Sequence, residues 1–137
     1  MINENAPELS LNIAKVSSAL KKRIPNHLGP WTYTKTTLGQ SNPTFVLSGK
    51  NNKLVLRRKP DGILLRSAHL IEREYRVMRA LKDTNVPVPK VFYLCEDKKE
   101  IGSIYFIMEF INGITFSQPQ LPGLTREQRQ KVYDSMN

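Results

Sequence analysis

A single cysteine, Cys95, leaves no partner for an internal disulfide in this 137-residue chain, which removes the small disulfide-stapled scaffolds from consideration. Lying at the end of the apolar run Val91 to Leu94, it reads as a buried structural thiol and fits a reducing compartment. No segment approaches the ~18 uninterrupted apolar residues of a membrane span. Met1 to Ser10 also lacks the basic and apolar regions of a signal peptide, so a cytoplasmic protein with no membrane partner is expected. Histidine is scarce as well. His27 and His69 have no Cys or His at metal-ligand spacing, no serine occupies a nucleophile elbow, and both histidines read as surface or capping residues. Internal repeats and low-complexity segments are absent.

What remains is an ordinary soluble composition, 39% hydrophobic and 24% charged, enough for one modest core. The net charge of +9, from 21 basic and 12 acidic residues, makes a polyanion an obvious candidate partner. The basic residues are nevertheless scattered from Lys21 to Lys131, with no single patch interleaved with aromatics. Nucleic acid is therefore not the expected partner.

Leu9, Ile13, Val16, Leu20 and Ile24 recur at helical spacing and end at Pro25, which predicts a first helix with its basic end at Lys21 to Arg23. Three β-rich runs follow, Trp31 to Leu38, Thr44 to Ser48 and Leu54 to Lys59, separated by turn-forming segments. Ser67 to Lys82 predicts a second helix, and Pro87-Val88-Pro89 an extended connection. Two further strands, Val91 to Cys95 and Ile104 to Ile111, flank a charged turn. Thr125-Arg126-Glu127-Gln128 matches a capping box, so a third helix begins there and is expected to run on to Asn137, as though the chain were cut within it. The fold class is thus α+β, with segments 1–30 (helix and linker), 31–113 (sheet with its helix) and 114–137 (linker, most obviously Gln118 to Gly123, and the start of a helix).

On a helical projection of the second helix, Leu70, Val77, Met78 and Leu81 form an apolar face that contains Glu74, whereas Glu72 points to the polar side. A carboxylate directed at a core needs a cation. The strand before the helix can supply one: Val55, Arg57 and Lys59 share one of its faces, and Arg57 is the expected partner, the alternative being that the helix is rotated or that its carboxylate reaches solvent at the edge. The small residues Gly39-Gln40-Ser41-Asn42-Pro43 would let backbone N–H groups approach a phosphate. They equally suit a plain hairpin turn, and they form neither a Walker A loop nor a G-x-G-x-x-G motif. The strand from Ile104 to Ile111 is nearly all apolar and needs no function as a core strand. Its exit, Glu109-Phe110-Ile111, would offer backbone donors and acceptors beside apolar side chains, which suits a purine.

In order and content these features resemble the protein-kinase N-terminal lobe, a five-stranded antiparallel sheet with a packed helix. More closely, Gly39 to Phe45, Leu54-Val-Leu-Arg-Arg-Lys-Pro60, Ala68 to Arg76, Val86-Pro-Val-Pro-Lys90 and Phe106-Ile-Met-Glu-Phe110 resemble the aminoglycoside phosphotransferase and choline kinase superfamily. Within it, the stretch from about Leu38 to Asn137 is similar to the phosphotransferase-like domains fused to acyl-CoA dehydrogenases. The resemblance implies an ATP-dependent kinase acting on a hydroxyl of a small molecule, with Mg2+ in the full-length enzyme. Gly39, Gln40, Ser41 and Asn42 would then cover the ATP phosphates, Arg57 would stand where kinases place a strand lysine, and Glu74 would hold it. Met108 would be the gatekeeper, and Glu109, Phe110 and Ile111 would face adenine.

Two departures bear on function. Arg57 replaces a lysine, and a planar guanidinium is not equivalent to a compact ammonium, although it can still contact phosphate bidentately. The family's His-Gly-Asp catalytic loop and following metal-binding Asp have no counterpart in the 137 residues, where no His-x-Asp occurs. The chain alone is therefore expected to be inactive, with small-molecule binding dependent on a C-terminal lobe. The competing expectation is a non-catalytic interaction module that self-associates through an exposed apolar lobe face.

Overall fold

The computed structural model describes residues 10–36, 42–60 and 70–137. The elements run α1 (Ile13–Arg23), β1 (Thr32–Lys35), β2 (Thr44–Ser48), β3 (Lys53–Arg58), α2 (Ile71–Leu81), β4 (Val91–Cys95), β5 (Tyr105–Glu109) and α3 (Arg126–Ser135). The five strands form one sheet, ordered β1-β2-β3-β5-β4, in which every pair is antiparallel. The β2–β3 turn closes with the Gly49 N–H donating to the Asn52 carbonyl at 2.8 Å. A Cβ on Gly49 would lie only 2.5 Å from the Leu28 carbonyl oxygen, so this close approach demands glycine.

Period-two alternation gives the sheet two apolar faces. On one face Phe45, Leu47, Leu54, Leu56, Tyr105 and Ile107 pack with Val16 and Leu20 of α1 and with Trp31. On the other, Phe106 packs with Ile71 and Tyr75 of α2, bordered by Met78, Val91, Leu94 and Met108. A register shift between Val91 and Tyr93 lets Val91 serve the second face while Phe92 and Tyr93 serve the first. Burial of each large apolar side chain contributes about 1.5–3 kcal/mol, so β3 and β5, which feed both faces, anchor the fold.

Local chemistry sets the helix ends. The Asn12 side chain accepts the Lys15 N–H at 3.1 Å, while Lys21, Lys22 and Arg23 occupy the last turn of α1, where positive charge meets the helix dipole. The helix therefore starts at Ile13 rather than Leu9, which lies outside the described residues, and Leu11 packs into the core ahead of the cap. Similarly, β1 stops at Lys35, short of Leu38, which also lies outside the described residues. The capping box of α3 is present in both directions, Thr125 with Gln128. That helix closes at Ser135 instead of running to Asn137, as the Met136 and Asn137 N–H groups donate three residues back, to the Tyr133 and Asp134 carbonyls at 3.1 and 3.4 Å.

The apolar face assigned to α2 from sequence is corrected. Ile71 and Tyr75 are its buried residues, with Met78 beside them, whereas Leu70 and Val77 are exposed. The helix is thus turned by about 90° from the face Leu70–Val77–Leu81, taking about 100° per residue. Aromatic bulk explains the choice. Tyr75 meets Phe106 at a ring separation of 5.9 Å, an anchor that a stripe of Leu and Val cannot match.

Candidate functional site

With Ile71, Tyr75 and Met78 facing the sheet, Glu72 and Glu74 flank the buried stripe on its two sides, and both reach β3. Glu74 accepts from Arg57 Nη1 at 2.5 Å. Lys59 Nζ donates to Glu72 Oε1 at 3.2 Å. The first pair is the expected one; the second replaces the solvent-facing role that the sequence suggested for Glu72. Both carboxylates lie in the first turn of α2, where the helix dipole also favours negative charge. Side-chain exposure is 24% for Arg57 and 32% for Glu74, against 25% for Lys59 and 16% for Glu72. Arg57 Nε and Glu72 Oε2 are buried atoms with no hydrogen-bond partner.

The antiparallel register sets Phe106 opposite Arg57 and Met108 opposite Val55. Arg57, Val55 and Met108 therefore share the face that carries α2, with Met108 about 7 Å from the ion pair along the ladder, two residues at ~3.4 Å each. Beyond it, the Glu109 N–H donates to the Lys90 carbonyl, and Glu109 Oε1 accepts the Lys90 N–H, both at 2.8 Å. This reciprocal strap fixes the exit of β5 against the segment entering β4. Phe110 lies under Lys53 Nζ, 5.1 Å from the ring centre, and Ile111 is exposed. Of the glycine-containing loop, Gly39, Gln40 and Ser41 lie outside the described residues. Asn42 is buried, with its Oδ1 unbonded and its carbonyl accepting the Thr44 hydroxyl at 3.1 Å.

A polar cluster that the sequence did not announce sits on the α1 side. Arg23 pairs with Glu100 at 3.2 Å and lies over the Tyr93 ring, 4.8 Å from its centre. Glu100 Oε2 also accepts from the Tyr105 hydroxyl at 3.1 Å and from the Cys95 thiol, and the Tyr93 and Tyr105 hydroxyls are 3.1 Å apart. Burial raises the Glu100 carboxyl, but hydrogen bonds from Cys95, Arg23 and Tyr105 outweigh it and leave the group below its ordinary value. Burial pushes Tyr93 up to about 12 and raises Tyr105 and Cys95 as well. The hydrogen bond to Glu100 adds to the rise in Tyr105 and Cys95. Cys95 is thus the buried free thiol that the sequence suggested. His27, expected at the surface or in a cap, instead packs edge-on against Phe92 with centroids 5.2 Å apart, and its Nδ1 is buried without a partner. His69 lies outside the described residues.

A model of the family described as "Phosphotransferase enzyme family" matches residues 32–136. The chain belongs to this phosphotransferase family. A solved Ralstonia eutropha structure assigned to the aminoglycoside phosphotransferases superposes with a TM-score of 0.74 at 37% identity, covering 91% of this chain and 35% of that one. The fold is accordingly that of a kinase-like N-terminal lobe. Among curated proteins, the chain is 48% identical over 119 residues to acyl-CoA dehydrogenase family member 10 of Mus musculus, covering 86% of this chain and 11% of that protein. It is 35% identical over 137 residues to acyl-CoA dehydrogenase family member 11 of Rattus norvegicus, covering 97% and 18%. The chain thus spans about a tenth to a fifth of the length of these curated relatives, and their likeness agrees with the resemblance to phosphotransferase-like domains of such proteins.

Two cations lie beside the apolar surface of Val55 and Met108, whereas no group of three or more His, Cys, Asp or Glu among the described residues is placed to hold an ion. No helix among the described residues is long and apolar enough to cross a membrane.

Proposed function

We propose that this lobe binds ATP, as the nucleotide-binding part of a phosphotransferase that acts on a hydroxyl of a small molecule. The observation that carries the proposal is the Arg57–Glu74 pair, which ties β3 to α2 on the same sheet face as Met108. A guanidinium held by a carboxylate is fixed in place to meet phosphate oxygens. Met108 closes the inner end of an apolar surface for the base, and the backbone donors and acceptors of Glu109, Phe110 and Ile111 form its outer edge. Gly39, Gln40, Ser41 and Asn42 complete the reading as the cover over the phosphates. Mg2+, when bound with the nucleotide in a full-length enzyme, would neutralise phosphate charge. The free thiol of Cys95 favours a reducing, cytoplasmic setting.

The 137 residues contain no His-x-Asp, and we place the base and the metal-binding carboxylates of the reaction outside them. Isothermal titration of the chain with Mg-ATP should show saturable binding that Arg57→Met weakens by about tenfold, the loss of one charge-assisted contact. No phosphorylated product should form. Absence of saturable binding in the parent chain would sink the nucleotide reading, and turnover by the parent chain would refute its inactivity.

A second reading is favoured by a different observation. Ile111, Ile114, Phe116, Tyr133 and Met136 are exposed together along the linker and α3. Such a run of apolar side chains marks an association surface, and a self-associating, non-catalytic module is the reading it supports.

A further inference from the structure

Arg57 is a rigidly held phosphate ligand. One end of its guanidinium is engaged by Glu74 and its Nε is buried without an acceptor, so the group is wedged between strand and helix. Two residues further along, the Lys59 N–H donates to the Ile104 carbonyl at 2.9 Å, which extends the β3–β5 ladder and keeps the Lys59 side chain on the same face as Arg57. Its ammonium meets Glu72 at 3.2 Å. A strand lysine held by a carboxylate of the packed helix is therefore present in this chain, displaced by one β-repeat from the arginine pair. Glu72 contributes only one oxygen, since its Oε2 has no partner. Lysine differs from the wedged arginine in kind: three donors on a flexible stem can pivot to a new acceptor while keeping the carboxylate nearby.

Resting on the nucleotide reading above, we propose that Lys59, positioned by Glu72, is the principal ligand of the nucleotide's terminal phosphates, and that Arg57–Glu74 serves the inner end of the phosphate chain. The two cations lie about 7 Å apart along the strand, at ~3.4 Å per residue, comparable to the extent of a triphosphate. Lys59 is also the cation whose carboxylate partner is the more buried, 16% against 32% exposed.

The test compares ATP with adenosine, which lacks phosphates, on the 137-residue chain by titration calorimetry. Lys59→Met should weaken ATP binding by about tenfold or more and leave adenosine unchanged, while Lys59→Arg, which keeps the charge but not the flexible stem, should recover only part of the loss. Amine acylation read by mass spectrometry supplies a measurement free of any folding change: in the parent chain ATP, and not adenosine, should protect Lys59. ATP affinity in Lys59→Met within about twofold of the parent, or no protection of Lys59 by saturating ATP, would overturn the assignment while leaving the nucleotide reading intact. A parent chain that binds neither ligand would remove both.

Discussion

One oxygen of Glu100 accepts from Cys95 and Tyr105 while the carboxylate faces Arg23. The folded carboxyl lies below its ordinary value of 4.5, so the stability it contributes is present above about pH 4.5 and is lost as the pH falls through the lowered folded value. Glu100→Gln should flatten the acid limb of a stability profile taken from urea midpoints at a series of pH values, and should cost about 1–3 kcal/mol near neutrality. An unchanged acid limb would remove Glu100 from this role. Tyr93 works in the opposite direction. Its hydroxyl rises from 10.0 to about 12, so its contribution is complete below pH 10 and disappears as the pH rises towards 12. Cys95 shares the environment: burial raises the thiol, so little of the reactive thiolate is present in the folded chain. Labelling of Cys95 by a thiol reagent should accordingly be limited by unfolding, accelerating with urea, and rapid labelling of the native chain would contradict the buried thiol. At the other polar site, Glu74→Ala strands a partly buried guanidinium. Its expected cost is about 1–2 kcal/mol, less than the 3–5 of a fully buried pair because water screens both partners, as chemical denaturation would measure.

The helices separate capping from packing. Asn12 caps α1, which buries Val16, Ala19 and Leu20; the capping box of Thr125 starts α3, which buries nothing. Asn12→Ala should therefore lower global stability by about 1 kcal/mol, whereas Thr125→Ala should reduce helicity by circular dichroism and leave the urea midpoint nearly unchanged. Equal effects on the midpoint would mean that α3 is coupled to the core. The same contrast explains what the sequence made legible. Strand positions and hairpins were readable because turn residues and period-two alternation are local: the expected Thr44 to Ser48 and Val91 to Cys95 are the observed β2 and β4. The Arg57–Glu74 contact was readable from strand parity and an acidic residue near an apolar stripe. The rotation of α2 was not, because Leu70, Val77 and Leu81 outnumber Ile71 and Tyr75 in any local projection. Only the presence of Phe106 on a strand thirty residues later decides between the two faces. Lys59–Glu72 was hidden by that same rotation. The Glu100 cluster depends on a turn residue meeting the end of α1, 77 positions away, for which no periodic signal exists.

At the scale of the molecule, two opposing terms would govern the proposed self-association. The exposed stripe from Ile111 to Met136 includes Ile114 at 79% and Met136 at 72% exposure, and covering it in a second copy would gain about 25 cal/mol per Å² of apolar area. Against this stands a net charge of +9 on each copy, which repels over a screening distance of ~10 Å at 0.1 M salt and only ~3 Å at 1 M. Apolar burial is little weakened by simple salt, so the balance should tip towards association as salt is added. Sedimentation velocity is expected to show monomer at low ionic strength and a growing dimer fraction at about 1 M sodium chloride. The double substitution Ile114→Ser with Phe116→Ser should abolish that dimer without lowering the urea midpoint, because both side chains are exposed in the monomer. A dimer that salt dissolves would instead place its contacts among charges, and one that survives the double substitution would place them elsewhere than the linker and α3. A chain that stays monomeric at every salt concentration would leave nucleotide binding as the only reading of the lobe still supported.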